Sequence, residues 1–337
     1  MWHPAQPALA LEEILISYAG PSITFLPAEV ARQRGGQTDA GLYAQLAEFL
    51  RRQGRLDLAI RATERAEAGN PLLMLSAVPR LRMDQEVERA FAVLESKHFT
   101  LRVPPDMASP FQLLLINVIE REWTRLRRWV PTTEQHKIQV DLLPFRDFMR
   151  LYSRGMAIGL FDGKVRLPFG DVPTIENEAI GIYGHEILHA MLAERSLDRA
   201  PHWFHEGLAQ SAQAFRPQLN PIADYEDKND LLAFSLIESV LSNPSDPELV
   251  TQAYEESTWA VEFIEARRGV AGVHQMIEAF AAGAGTDQAL RRVMGMSTED
   301  FDRALRSWSR TADGRSRSAN EVRYEEEAIR TYLRGEV

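Results

Sequence analysis

The sequence predicts an α+β protein in which a small mixed sheet precedes a half built almost entirely of helices. Short segments of strand character alternate with helical segments between residues 94 and 170. After residue 176 the apolar residues recur at helical spacing, and glycines separate the successive segments. The first ninety or so residues also have helical spacing, so we expect an α-helical unit ahead of the mixed domain.

The predicted sheet is built from short segments whose lengths and residue types suit strands. They lie at 98–103, 137–143, 156–161 and 164–169. A helix with a continuous apolar side is predicted at 109–130, between the first two strands. Asp162-Gly163 stands between two apolar runs and favours a type I′ turn, so the last two strands are expected to form a hairpin.

The second half is predicted to be helical at 231–241, 258–267, 273–280 and 301–308. Gly269, Gly283 and Gly295 are expected to end helices. Ser297, with Asp300 three residues later, resembles a capping box at the start of the last helix. A polar, acidic loop is expected at 220–230, and a weakly ordered charged tail at 311–337.

The N-terminal unit carries apolar and small residues at the positions that a tetratricopeptide helix pair uses for its internal packing. They are Tyr43, Leu46, Ala47, Leu50, Gly54, Leu56, Ala59, Ala66 and Pro71. Because a solenoid needs stacked neighbours, a single repeat of this kind is expected to pack on the rest of the chain or on a protein partner. A generic helical hairpin is the alternative interpretation.

The residues that carry chemistry are His185-Glu186-Ile187-Leu188-His189, within a segment of helical spacing. Residues four apart lie on one helix face, so His185 and His189 can present two imidazole nitrogens to one cation. Glu186 lies about 100° around the same turn, where it can reach water beside the metal without binding the metal. A catalytic zinc ion needs three protein ligands and an open position, and Glu206 is the candidate third ligand.

Other side chains near the motif are alternative ligands. His202 and His205 are close in sequence, and histidine is the commonest metal ligand. His205 adjoins Glu206, however, and neighbouring side chains on a helix diverge by about 100°. A third histidine six residues after His189 would suit a different zinc site, but Arg195 stands there, and Asp198 is a further carboxylate candidate.

The segments HEILHAML and PHWFHEGLAQ together resemble the gluzincin metallopeptidases, in particular the bacterial peptidase MA-like group. The resemblance covers residues 82–310 and implies a zincin-like domain at 94–310, a helical accessory segment at 1–93 and the charged tail at 311–337. It implies that His185, His189 and Glu206 bind one Zn²⁺ ion and that Glu186 is the general base.

Two further expectations come from the same resemblance. Tyr254-Glu255-Glu256-Ser257 looks like the Y-x-x-S segment of this family, so Tyr254 is a candidate donor to the oxyanion. The alternative is that the Tyr254 ring packs between helices and its hydroxyl bonds locally. Zincins also hold the substrate backbone on an edge strand just before the zinc helix, and 165–169 is predicted for that place; an ordinary sheet edge is the alternative.

Composition limits the remaining choices. Residues 176–310 contain 11 basic and 22 acidic side chains, a net charge of −11, which argues against nucleic acid and favours neutral or basic substrates. Such acidity also serves solubility alone. The sequence has no apolar run long enough for a transmembrane segment and no cysteine for disulfides. Glu12 and Glu13 interrupt the apolar N-terminus, so no signal peptide is predicted and a cytoplasmic location is expected.

The sequence therefore predicts a zinc-dependent metallopeptidase that acts on a peptide or protein. An alternative is a zincin-like domain that no longer cleaves and serves, with the N-terminal helices, as a protein-binding module. Hydrolysis of a non-peptide amide is a third possibility, because the same metal chemistry acts on other carbonyl compounds.

Overall fold

A computed structural model describes residues 40–52, 55–69, 77–107, 109–132, 137–152, 159–169, 176–213, 231–243 and 246–309. The predicted tail at 311–337 and the predicted loop at 220–230 lie outside the described residues. Gly54 and Pro71 of the predicted helix pair lie outside them as well.

The described chain contains five strands, and helices precede, separate and follow them. The helices are α1 (Ala40–Arg52), α2 (Leu56–Gly69), α3 (Ala77–Ala90), α4 (Ser109–Leu126), α5 (Phe145–Tyr152), α6 (Glu176–Ser196), α7 (His202–Ser211), α8 (Phe234–Ser242), α9 (Pro247–Ala281), α10 (Thr286–Met294) and α11 (Thr298–Ser309). The strands are β1 (Ala92–Glu95), β2 (Phe99–Val103), β3 (Ile138–Pro144), β4 (Leu160–Phe161) and β5 (Val165–Phe169). This order confirms the predicted α+β class, with a mixed sheet ahead of a mostly helical half.

The five strands form one sheet in the order β1-β2-β3-β5-β4. β2, β3 and β5 run parallel, whereas β1 and β4 pair antiparallel with their neighbours at the two ends. The prediction that 165–169 is the edge strand is therefore wrong at Val165 and Arg166, which pair with β4. β5 pairs with β3 on one side and with the two-residue strand β4 on the other, so β4 is the edge beside α6.

The hairpin between β4 and β5 is present, but its turn differs from the predicted type. Phe161 is opposite Val165, which leaves a three-residue connection, and Gly163 has a φ of 96°. A type I′ turn needs positive φ at two successive residues, and Asp162 does not have it. The third residue relieves that demand, so one glycine is sufficient to reverse the chain.

The two faces of the sheet have different chemistry because successive side chains in a strand point to opposite sides. Leu101, Val140 and Leu167 lie on the face that packs in the main hydrophobic core with residues of α4 and α6. Asp141 and Arg166 point to the other face, where Asp84 of α3 and Tyr152 of α5 cover them. One face of the sheet is thus apolar, and the other is charged and buried.

The first two helices pack against each other through the residues that the sequence singled out. The buried side chains of this cluster include Tyr43, Leu46, Ala47, Leu50, Leu56, Ala59 and Ala66. A helical pair is thereby present where one was expected, while the division of the chain at residue 93 stays a prediction. The sequence analysis did not predict strand β1 or helix α5, whereas both are present in the described structure.

Helix ends in the second half follow the glycine pattern. Gly269 interrupts α9 with a φ of 64°, and Gly283 and Gly295 also have positive φ just after helices end. The Ser297 hydroxyl accepts a bond from the Asp300 N–H at 3.1 Å, as a capping residue does. In the described part of the chain, every helix is too short or too polar to cross a membrane.

Candidate metal centre

Helices α6 and α7 bring the side chains of His185, His189 and Glu206 to one point. The two Nε2 atoms are 3.0 Å apart, and Oε2 of Glu206 is 3.4 Å from Nε2 of His185 and 3.5 Å from Nε2 of His189. The side chains are between 9% and 17% exposed, so they are shielded yet reachable. These three residues form a group that can hold a metal ion.

The spacing of the three donor atoms suits a small divalent cation. In a tetrahedral zinc site with bonds of about 2.0–2.2 Å, two donor atoms are separated by about 3.3–3.6 Å. The two distances to Oε2 of Glu206, 3.4 and 3.5 Å, lie in that range, and the 3.0 Å between the two Nε2 atoms is slightly shorter. Oε2 of Glu206 is also buried without a hydrogen-bond donor among the described residues. Imidazole nitrogens and a carboxylate oxygen are donors that zinc accepts, so the residues fit the ion.

The local sequence explains why α6 presents the two histidines with little freedom. Ile187, Leu188 and Met191 are fully buried on the core side of this helix. The Tyr183 hydroxyl donates to the backbone oxygen of Pro168 on β5 at 2.9 Å. The helix is thus fixed to the sheet two residues before His185, and the i, i+4 spacing then sets the two imidazoles on one face.

Helix α7 is fixed by its aromatic residues and by a carboxylate from α8. Trp203 and Phe204 are buried, and the Trp203 indole N–H donates to the Thr286 hydroxyl at 3.0 Å. Pro201 at the N-cap offers no side-chain acceptor, but Oε2 of Glu238 accepts from the Trp203 backbone N–H at 3.1 Å. This external cap satisfies a backbone donor that would otherwise lack a partner. The position of Glu206 therefore depends on the packing of α7 and not on the connection between α6 and α7.

A close approach between α7 and α9 gives Gly207 its role. A Cβ atom at this position would collide with the backbone carbonyl of Ser257 on α9. A side chain of any size would separate the two helices and move Glu206, its neighbour, away from the histidines. The glycine that follows Glu206 in the sequence motif is therefore a packing requirement.

The charges at the centre favour a cation. Burial opposes ionisation of Glu206, but the imidazoles of His189 and His185 outweigh it and hold the pKa of the carboxyl well below its usual range. Burial likewise opposes a charge on His189, yet the Glu206 carboxylate raises the pKa of that imidazole. A carboxylate that stays ionised inside a protein needs a positive partner, and a metal ion is one.

Glu186 lies beside the three donor atoms without belonging to the group. Its side chain is 7% exposed, and a Cβ atom added to Gly159 would lie 2.7 Å from its Oε1 atom. Burial is the largest influence and, together with the Glu206 and Asp162 carboxylates, raises the pKa of Glu186 against the opposing effect of the two histidines. A carboxylate with raised proton affinity is suited to accept a proton.

Tyr254, on α9, also reaches this centre. Its phenol is partly buried and lies near the carboxylates of Glu206 and Glu186. Burial, followed by the negative charges of Glu206 and Glu186, raises the pKa of the Tyr254 hydroxyl, so the group stays protonated and can donate. A phenol near these carboxylates suits a donor to the oxyanion, and the catalytic role of Tyr254 stays a prediction.

The competing ligand candidates lie elsewhere. His202 is exposed and bonds Oε1 of Glu238 through Nδ1 at 2.8 Å. Asp198 lies in the turn between α6 and α7, where it has a φ of 55° and is exposed. Neither belongs to the metal-binding group found among the described residues.

His205 has a position that the sequence analysis did not foresee. Its Nδ1 atom faces Nδ1 of His189 at 3.3 Å, on the far side of that ring from the metal-facing nitrogen. Burial and the nearby charge of His189 lower the pKa of His205 to about 3, so its ring is neutral and one nitrogen can accept a bond. From the sequence, the adjacency of His205 to Glu206 indicated only that the His205 side chain diverges from the metal. In the structure, the same divergence directs the His205 ring toward His189.

No protein-family model matches this chain, and no curated protein matches it either. The chain has a mixed α+β fold with a His185, His189 and Glu206 group in HExxH…E spacing, and that group can hold a metal ion.

Proposed function

We propose that this protein is a zinc-dependent metallopeptidase of the gluzincin type. The observation that carries the proposal is the mutual spacing of 3.0–3.5 Å among the donor atoms of His185, His189 and Glu206. Glu186 next to this group supports hydrolysis over simple metal storage, because a structural site needs no general base. The helical pair and the tail, as accessory segments, are part of the same proposal.

Each residue at the centre has a distinct task in this reaction. His185, His189 and Glu206 would hold Zn²⁺, which when bound supplies a Lewis acid that activates water and polarises a carbonyl group. Glu186 takes the proton from the attacking water and transfers it to the leaving amine as the C–N bond breaks. Tyr254, protonated and near the Glu206 carboxylate, donates a hydrogen bond to the developing oxyanion.

The surroundings favour a peptide as the substrate. The edge strand β4 lies against α6 and begins directly after Gly159, which faces Glu186. An extended peptide can add to such an edge through backbone hydrogen bonds, and this brings its carbonyl groups near the metal. The net charge of −11 over residues 176–310 favours neutral or basic peptides over acidic ones.

A second function is a binding module that has a metal but no turnover. The packed pair α1 and α2 supports an interaction with a protein partner, and a zinc ion would then only fix α6 to α7. Glu186 argues against this alternative, because its carboxylate has no task in a silent site.

Two measurements separate these functions. The purified full-length chain is loaded with Zn²⁺, its metal content is determined, and hydrolysis of a broad peptide library is followed for wild type and Glu186→Gln. We expect one zinc per chain in both proteins, and turnover that falls by at least about 10²–10⁴-fold in the variant.

A zinc-loaded wild type that cleaves no faster than Glu186→Gln would establish the binding module instead. Hydrolysis of simple amides or esters in place of peptides would change the substrate class. The substitution Glu278→Gln, at an exposed position of α9, is the matched control and should leave turnover unchanged.

A further inference from the structure

The charged face of the sheet forms a balanced ionic cluster. We define the ionic cluster as four acidic and four basic residues: Asp84, Glu88, Asp141, Asp162, Arg51, Arg102, Lys164 and Arg166. Lys164, Arg166, Asp84 and Asp141 have side chains that are 1% exposed. Burying this many charges away from water is unfavourable unless each has a partner, so the partners hold one another in fixed positions.

Most of the basic residues of the ionic cluster belong to the sheet, but Arg51 does not. Arg102 is on β2, Arg166 is on β5 and Lys164 directly precedes β5. Arg51 comes from the end of α1, in the N-terminal helical pair. It donates through Nη1 to Oδ2 of Asp162, 111 residues later in the chain. This ion pair is a direct link between the helical pair and the sheet.

Asp162 occupies a sensitive place in the fold. It begins the three-residue connection between β4 and β5, and its other carboxylate oxygen accepts from Nε of Arg166 at 3.2 Å. Asp162 is therefore held from two sides, by the sheet through Arg166 and by the helical pair through Arg51. Because β4 has only two residues, few backbone bonds of its own keep it in place.

The strand fixed in this way borders the candidate active site. β4 follows Gly159 directly, and a methyl group on Gly159 would lie 2.7 Å from both Cγ and Oε1 of Glu186. Ile182 of α6 is similarly close, at 2.9 Å. A small shift of β4 toward α6 would press on Glu186, and a shift away would open the edge on which a substrate would lie.

We propose that Arg51 is a positioning residue: it fastens α1 to the turn of the β4–β5 hairpin and thereby holds the edge strand β4 in place beside Glu186. The helical pair is then part of the working site and not a tethered accessory. The effect on catalysis rests on the proposed function, whereas the fastening of the hairpin does not.

Hydrogen exchange on the full-length protein tests the fastening without any substrate. Wild type is compared with Arg51→Met, which keeps the length of the side chain but removes its charge, and with Arg51→Lys, which restores the charge. The control is Arg61→Met, on α2, where Arg61 pairs with Asp57 at 3.6 Å and both side chains are more than half exposed. In Arg51→Met we expect amides of residues 159–169 to exchange about tenfold faster.

Arg51→Lys is expected to return this exchange to within about threefold of wild type, and the control to leave it unchanged. Unchanged exchange at 159–169 in Arg51→Met, or equal acceleration in the Met and Lys variants, overturns the proposal. If Arg51→Met does not fold, hydrogen exchange is measured on Asp162→Asn instead. We expect faster exchange of the same amides, and unchanged exchange there overturns the proposal.

Kinetics then test whether the fastening positions the site. In Arg51→Met we expect KM for peptides to rise about tenfold with a smaller change in kcat, because the edge that orients the substrate is loosened and the metal ligands are not. Zinc affinity should stay within about threefold of wild type. A wild type that binds no zinc, or cleaves nothing, defeats the proposed function and leaves the exchange result intact. Faster exchange at 159–169 with unchanged KM and kcat overturns the positioning role.

Discussion

At the scale of single residues, the candidate centre depends on side chains that touch the metal ligands as well as on the ligands. A histidine that binds a metal through Nε2 carries its proton on Nδ1, and that N–H needs an acceptor. The acceptor for His189 is the neutral ring of His205, 3.3 Å away. This bond selects the tautomer of His189 that leaves Nε2 free for the metal, and it fixes the angle of the ring.

Removing that acceptor should weaken metal binding without removing a ligand. We expect His205→Leu to raise the zinc dissociation constant about 10–100-fold, measured by competition with a chelator of known affinity. His205→Asn, whose side-chain oxygen can accept the same bond, should recover most of the affinity. The control is His274→Leu, where the ring is half-buried and bonds the Arg128 carbonyl. Equal losses in the Leu and Asn variants of His205 would show that the hydrogen bond is not the cause.

The limits of sequence reasoning are visible at this scale. Helix geometry alone predicted that His185 and His189 share a face, because a spacing of four residues has one structural outcome inside a helix. The assignment of Glu206 as third ligand came from a sequence motif. Glu206 is seventeen residues after His189, and such a spacing across a turn does not determine the distance between the two side chains. The contact between His205 and His189 depends on the crossing of two helices, and nothing in the local pattern encodes that angle.

At the scale of the elements, the centre exists because α7 approaches α9 at Gly207. Glu206 is next to Gly207 on α7. It can therefore meet the histidines only while α7 and α9 stay this close at Gly207. The aromatic residues Trp203 and Phe204 hold the other side of α7 through edge-on contacts with Phe280 of α9, at ring separations of 6.4 and 5.2 Å. The helix is thus fixed along its length before any metal is bound.

A methyl group at Gly207 should therefore damage both the fold and the site. We expect Gly207→Ala to lower the free energy of unfolding by about 1–3 kcal/mol, the cost of overpacking a tight contact, and to weaken zinc binding as well. Urea denaturation of the metal-free protein and chelator competition measure the two effects.

Gly285→Ala is the matched control for this change. No atom lies within 4 Å of a Cβ placed at Gly285, and the residue has a φ of −75°, which alanine adopts freely. The control should change the free energy of unfolding by less than about 1 kcal/mol. If Gly207→Ala has the same free energy of unfolding and the same zinc affinity as the control, then α7 and α9 can move apart without loss of stability.

At the scale of the whole molecule, the sequence predicted the class of fold but not the burial of the second face of the sheet. Arg102, Asp141 and Arg166 alternate with apolar residues, a pattern typical of strands with one side in water. The structure covers them with α3 and α5 and pairs the charges with one another. Sequence alternation separates the two faces of a sheet, but it does not show which elements will cover a polar face.

Stability of the whole molecule should also depend on one buried carboxyl in the helical half. Glu256, on α9, accepts bonds from the Leu232 N–H at 3.0 Å and from the Gln252 amide at 2.8 Å. Burial nevertheless dominates over these bonds and raises the pKa of Glu256 to about 7, from an ordinary value of 4.5. The folded protein therefore binds this proton more tightly than the unfolded chain does.

The sign of the pH dependence follows from that difference. The contribution of neutral Glu256 is fully present below pH 4.5 and is lost as the pH rises through about 7, where the folded protein must bury a charge. Glu256→Gln keeps an acceptor for both bonds and cannot ionise. It should match wild type near pH 4.5 and exceed its free energy of unfolding by up to about 3 kcal/mol at pH 8.

Urea denaturation of both proteins at the two pH values measures this difference. Glu278→Gln, at an exposed position of the same helix where Oε1 lies 3.6 Å from Nη2 of Arg195, should change the free energy of unfolding by less than about 1 kcal/mol at both pH values. The diagnostic result is the growth of the Glu256→Gln advantage with pH, because a substitution that altered only packing would shift both curves equally. A pH-independent difference would mean that Glu256 is already ionised in the folded protein at pH 4.5, with Leu232 and Gln252 compensating its burial in full.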